Sequence, residues 1–147
     1  MGGNVNGKGF TMIEMLMAIA IMGILVLVAY PSYQDSTRRS RRADGIAAAL
    51  TVQVAQERFR GNCRFYANNI GANDVCGASA AASTVASVTT SNEGFYTLSI
   101  EGTATGNSYV ILIQPTGSQT ADTDCLAMRL TFNNTNPNGL KSPAACW

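Results

Sequence analysis

The chain has 147 residues, room for one domain, with ten basic and nine acidic side chains, a formal charge of +1 and no histidine. Near-neutrality removes a global electrostatic case for nucleic acid or an acidic partner, and without histidine the commonest general base and neutral metal ligand near pH 7 is missing. The missing histidine weighs against an enzyme. The residues are also unevenly spread: within residues 10–32 Glu14 is the only charged side chain, and charged and turn-forming residues gather after Pro31.

The first predicted element is a helix over residues 10–30, rich in Met, Leu, Ala and Ile and apolar on every face. A bilayer core needs roughly 20 such residues as a helix, so this stretch is expected to span the membrane. A cleaved secretory signal fits less well, because its apolar region runs about 7–15 residues to a small-x-small site, whereas Leu27 stands two positions before Ala29 and Glu14 interrupts the run. A carboxylate inside a bilayer helix costs about 2.5–3.5 kcal/mol even on the permissive insertion scale, so Glu14 calls for a partner or a task. The nearest cations in the same chain are Lys8 and an amino terminus created just before Phe10. The blander reading leaves Glu14 hydrated or protonated near the headgroups.

Lys8-Gly9-Phe10-Thr11-Met12-Ile13-Glu14, followed directly by the apolar run and then Tyr30-Pro31, resembles the prepilin peptidase site of the type IV pilins. The resemblance implies cleavage after Gly9, with residues 1–9 as the leader, and methylation of the new Phe10 amine. It also implies that Glu14 pairs with the amino terminus of a neighbouring subunit. Two buried opposite charges neutralise each other only when that neighbour is in register, so the pair would check assembly. Gly23 is a weak helix former, and Pro31 lacks an amide proton and crowds the preceding turn. The resemblance implies that residues 23–31 unwind in an assembled filament.

Past Pro31, Ala43, Ile46 or Ala47, Leu50 and Val54 follow the i, i+3/i+4, i+7 spacing of an amphipathic helix, with Gln53, Gln56 and Glu57 on other faces. The helix is expected to continue to about Arg60, where Gly61-Asn62 stops it, giving a rod of roughly 75 Å from Phe10. Arg38-Arg39-Ser40-Arg41-Arg42 is the one strong charge cluster, of a kind that can bind DNA or anionic lipid; without aromatics between the arginines it reads instead as a solvated or headgroup-adjacent face pairing with Asp35 and Asp44. The positive-inside rule would place that cluster in the cytoplasm, while the cysteines of the same C-terminal part belong in an oxidising compartment, and the cysteines together with the cleavage motif take precedence.

Residues 62–92 read as loop, dominated by Gly, Ala, Ser and Thr, with Asp74 their only acid. Three strands follow: Tyr96, Leu98 and Ile100 alternate with polar residues, residues 109–114 form a β-branched run, and Leu126, Met128, Leu130 and Phe132 alternate strictly. Residues 102–108 and 115–124 connect them, residues 133–139 turn the chain again, and Leu140-Lys141 add a short edge strand. Cys63, Cys76, Cys125 and Cys146 lack the close pairs that grip zinc, so a disulfide framework is expected. Three connectivities are open, and loop closure favours Cys63 with Cys76 and Cys125 with Cys146.

The expected fold class is α+β, a long N-terminal helix packed on a small antiparallel sheet, divided into the leader 1–9, a membrane or filament-core half 10–32, and a periplasmic or extracellular head 33–147. The head comprises the amphipathic helix 33–60, a loop 61–94 and the sheet with its disulfide-bounded end 95–147. Gln119, Asp122-Thr123-Asp124-Cys125, Leu130, Gly139-Leu140-Lys141 and the final Cys146-Trp147 resemble the PilE-like minor pilins more than secretion pseudopilins. Pseudopilins often bind calcium in this part of the fold, but two acids are too few for such a site, and no metal or cofactor is expected. The implied role is a pilus subunit, held in the bacterial inner membrane with its head in the periplasm and then assembled into an extracellular filament for adhesion, twitching motility or DNA uptake. Its implied partners are other pilin subunits, the prepilin peptidase, the inner-membrane assembly platform and, before assembly, membrane lipid. The rival readings are a major pilin, a type II secretion pseudopilin and a membrane-anchored extracytoplasmic binding domain.

Overall fold

The computed structural model describes residues 9–147; residues 1–8 of the expected leader, Lys8 among them, lie outside the described residues. Helix α1 runs Met12–Asn62, two residues past the expected stop. Six strands follow: β1 Asn69–Gly71, β2 Thr84–Ala86, β3 Tyr96–Ile100, β4 Ser108–Pro115, β5 Met128–Asn133 and β6 Asn136–Ser142. Two compact units emerge, divided between Thr37 and Arg38.

In the first unit, Thr11 begins the helix: the Glu14 N–H donates to Thr11 Oγ1 at 3.3 Å, satisfying one of the amides that every helix N-terminus leaves without an intrahelical partner. Good helix formers carry the turn structure onward. Gly23 and Pro31 both lie inside α1, and Pro31 has no N–H to offer the carbonyl of Leu27.

In the second unit, the helix is amphipathic, but its inward face is not the one the large side chains mark. Gly45, Ala48, Ala49, Val52, Ala55, Gln56 and Phe59 are buried, whereas Leu50 and Val54 are exposed. The reason is close approach: a face of Gly and Ala lets the sheet's bulk, Tyr96, Tyr109, Ile111, Ile113, Met128 and Leu130, fill the layer between helix and sheet. At Gly45 the contact is so tight that an added Cβ would stand 2.8 Å from the Tyr96 ring. Gln56, expected on a polar face, is wholly buried because its amide forms two bonds with the backbone of Ala67: Nε2 donates to the carbonyl at 2.8 Å, and Oε1 accepts from the N–H at 3.0 Å.

Strands β3-β4-β5-β6 form an antiparallel sheet in sequence order, joined as a meander. Their inward residues alternate as expected, Tyr96 and Leu98 on β3, Tyr109, Ile111 and Ile113 on β4, Met128, Leu130 and Phe132 on β5. Leu126 falls before β5 and is exposed. The expected turn over residues 133–139 is shorter: β6 already begins at Asn136 and includes Pro137, which an edge strand tolerates. Gly139, with φ of +80°, sits over Leu130, where a side chain would strain the backbone and meet that leucine.

The segment expected to be loop holds β1 and β2, a parallel pair with Asn69 opposite Thr84. A second apolar cluster of Ala55, Phe59, Cys63, Ala67 and Val85 lies beneath it. Cys63 is bonded to Cys76, and Cys125 to Cys146. The α+β architecture matches the sequence expectation.

Candidate functional site

Two regions have chemistry to explain, the N-terminal apolar segment and the charged surface of the head. From Phe10 to Tyr30, every large apolar side chain is at least 56% exposed, with Met12 at 88%. The same stretch is long and apolar enough to cross a membrane and none of it is buried within the chain. Each such side chain gains about 1.5–3 kcal/mol when removed from water, so the segment requires lipid or protein around it. Glu14 sits in the first turn of α1, where the helix dipole favours an anion. Among the described residues, no cation pairs with its carboxylate. Thr11 and Glu14 also have the Thr-x-x-Glu spacing of a helix-start motif, a signal that sequence reasoning passed over.

On the head, the arginine cluster is largely held in place by the fold. Arg42 makes a two-pronged ion pair with Asp122, Nε to Oδ2 and Nη2 to Oδ1 at 2.6 Å each, with side chains only 17% and 4% exposed. The hydrogen bond to Asp122 raises the Arg42 pKa further, keeping the guanidinium charged. Gln119, fully buried, donates from Nε2 to Asp122 Oδ2 at 3.1 Å and to the Tyr96 hydroxyl at 3.0 Å. Arg41 donates to the Ser118 hydroxyl and stacks its guanidinium 4.3 Å from the centre of the Phe95 ring. Sequence expected Asp44 to pair with this cluster; Asp44 instead accepts the N–H of Glu93. Phe95, just before β3, thus brings an aromatic ring to a cluster that has none between its arginines along the chain.

A second polar cluster lies further along α1. Tyr66 and Tyr109 both donate hydroxyls to Glu57, at 3.1 and 3.2 Å, and their rings pack with Phe132. Burial, aided by the Glu57 charge, pushes the Tyr66 pKa up to about 12 and raises that of Tyr109 as well, so both remain donors at neutral pH. Arg58 pairs with Asp74, and Arg129 with Glu101, on the surface. Of the remaining cations, Arg39 and Arg64 are exposed and Lys141 stands 5.3 Å from the Trp147 ring. Among the described residues, no group of three or more His, Cys, Asp or Glu is arranged to hold a metal.

The expected site residues fall into separate places. Gly9, Phe10, Glu14, Gly23 and Pro31 lie in the first unit and the four cysteines in the second. Gln119 and Asp122 stand in the C-terminal pattern noted in the sequence, but nothing local signals that Asp122 pairs with Arg42, eighty residues away, or that Gln56 and Gln119 are buried.

A family described as "Type IV minor pilin ComP, DNA uptake sequence receptor" matches residues 31–129, and the "Prokaryotic N-terminal methylation motif" matches residues 5–30. Among curated proteins, a type IV major fimbrial protein FimA of Dichelobacter nodosus is 42% identical over 59 residues, covering 39% of this chain and 37% of the relative. A fimbrial protein of Moraxella nonliquefaciens is 40% identical over 58 residues, 38% of each. The chain thus spans less than two-fifths of the length of these relatives.

Proposed function

This chain belongs to the type IV pilin family, in its ComP-type minor pilin group, and from that premise we propose that it is a minor subunit that enters a pilus by exchanging bilayer for neighbouring subunits. The carrying observation is the uncovered apolar segment with Glu14, with which no cation pairs among the described residues. A helix leaving lipid gains little from hydrophobicity, so lateral packing and the neutralised charge must hold subunits together. In this reading the prepilin peptidase cuts after Gly9, Phe10 is methylated, and Glu14 binds the terminal amine of a neighbour. The inner-membrane assembly platform would lift each subunit, with residues 23–31 free to unwind where Gly23 and Pro31 weaken the helix. The role is structural rather than catalytic.

The same family description favours DNA uptake over adhesion or twitching as the pilus activity served. With a net charge of +1, DNA contact depends on local cations, and the Arg64–Phe65 pair, with the guanidinium 5.6 Å from the ring centre, offers a charge and a stacking plane. Deletion of the gene should reduce transformation sharply and leave pili on the surface, with the chain present at low copy in sheared filaments. Abundance equal to the main filament protein would make it the major subunit, and unchanged transformation would remove the DNA role.

A further inference from the structure

At the N-terminal end of the head's helix lies a cleft of about 480 Å³ whose walls include Arg39, Arg42, Ile46, Cys146 and Trp147. Its chemistry is that of a phosphate bound to an apolar body. Arg39 is exposed and, among the described residues, has no ion-pair partner. Arg42 spends Nε and Nη2 on Asp122, and a guanidinium held along one edge keeps its Nη1 donors for a second anion. Asp122 therefore fixes the fork rather than exhausting it. Trp147, with Lys141 5.3 Å from its ring, presents an indole of the kind that settles at a membrane–water interface, and its Nε1 donates to the Ser142 carbonyl.

Covalent geometry limits where this cleft can operate. Arg39 follows Ser32 by seven residues, so it stays within about 25 Å of the end of the apolar segment. Before assembly, the leaflet the segment emerges from is an extended anionic surface within that reach. Arginines on the extracytoplasmic side also run against the positive-inside bias, and a task there accounts for them.

We propose that this cleft binds the phosphodiester headgroup of an anionic phospholipid, with Arg39 and Arg42 on the phosphate, Ile46 beside the glycerol carbons and Trp147 at the interface. The contact holds the head against the membrane until a subunit is drawn into the filament. It rests on the chain being membrane-held before assembly.

Trp147 is the single tryptophan, so its fluorescence reports on the cleft directly. The full chain would be reconstituted in nanodiscs of phosphatidylcholine with increasing phosphatidylglycerol. Emission should shift to the blue with anionic lipid, Arg39→Gln should raise the lipid fraction needed about fivefold, and Arg39→Lys should recover much of the loss. Arg58→Gln, removing an equal charge near the far end of the helix, should behave as the native chain. An equal response in Arg39→Gln and Arg58→Gln, or none to anionic lipid, overturns the cleft. So does a full response to inorganic phosphate or to duplex DNA in purely zwitterionic discs. Failure of the chain to insert at all would overturn the membrane reading together with it.

Discussion

Replacing Glu14 with alanine is expected to abolish incorporation into filaments while improving membrane insertion. The two effects diverge because the carboxylate does opposite things in the two environments. In the bilayer it carries a penalty of about 2.5–3.5 kcal/mol, which alanine removes. In a filament its loss leaves the terminal amine of a neighbour buried without a counter-charge, a change that typically costs about 3–5 kcal/mol, or roughly a hundredfold or more in subunit addition. Among the described residues no cation pairs with Glu14, and in the proposed reading the terminal amine of a neighbouring subunit takes that place. Membrane fractionation and recovery from sheared pili measure the two halves separately. Equal loss of both would point to a folding defect, and loss of neither would remove the role assigned to Glu14.

The second large effect is predicted at the foot of the head. Asp122→Ala should lower the stability of the head by about 3 kcal/mol, the low end for a broken buried pair because the adjoining cleft gives Arg42 access to water. For a unit of this size each kcal/mol shifts the melting temperature by roughly 4–8 °C, so the change is readily seen by thermal unfolding with the disulfides intact. Gln119 loses an acceptor in the same substitution. An Arg42→Leu, Asp122→Leu double variant should recover most of the loss, since apolar replacement of both partners leaves no stranded charge. A melting temperature unmoved by Asp122→Ala would show that the pair does not fasten the loop around Gln119 to the helix.

Where the sequence was legible, the physics was local. The apolar segment around Glu14 has one charge in more than twenty residues, β3 and β5 alternate visibly in sequence, and β4 shows as a continuous β-branched run. The inward face of α1 was misjudged because Leu50 and Val54 outrank Gly45, Ala48 and Ala49 in hydrophobicity, yet close packing with aromatic residues of the sheet selects the small side chains. Strands β1 and β2 have three residues each, too short to show a period, and their pairing joins Asn69 to Thr84 across the Cys63–Cys76 bridge region. Strand β6 was obscured by Asn, Pro and Gly, residues that signal turns but also suit an edge. Ion pairing was the least legible: Arg42 meets Asp122 rather than either acid beside it in sequence, since the fold and not proximity along the chain chooses the partner.

Exposed Leu50 and Val54 also have a physical consequence for assembly. With Val88 they border an open groove beside α1, outside the core that stabilises the head. Their burial in a filament would add contact without disturbing the fold of the subunit, which keeps the head's stability separate from its capacity to assemble.

The mass of the chain's N-terminal peptide in filaments sheared from cells is the most direct test of processing and assembly. A peptide beginning at Phe10 and carrying one methyl group on its amine is the predicted result. A chain that keeps Met1, stays in the cell envelope and is absent from filaments would contradict it.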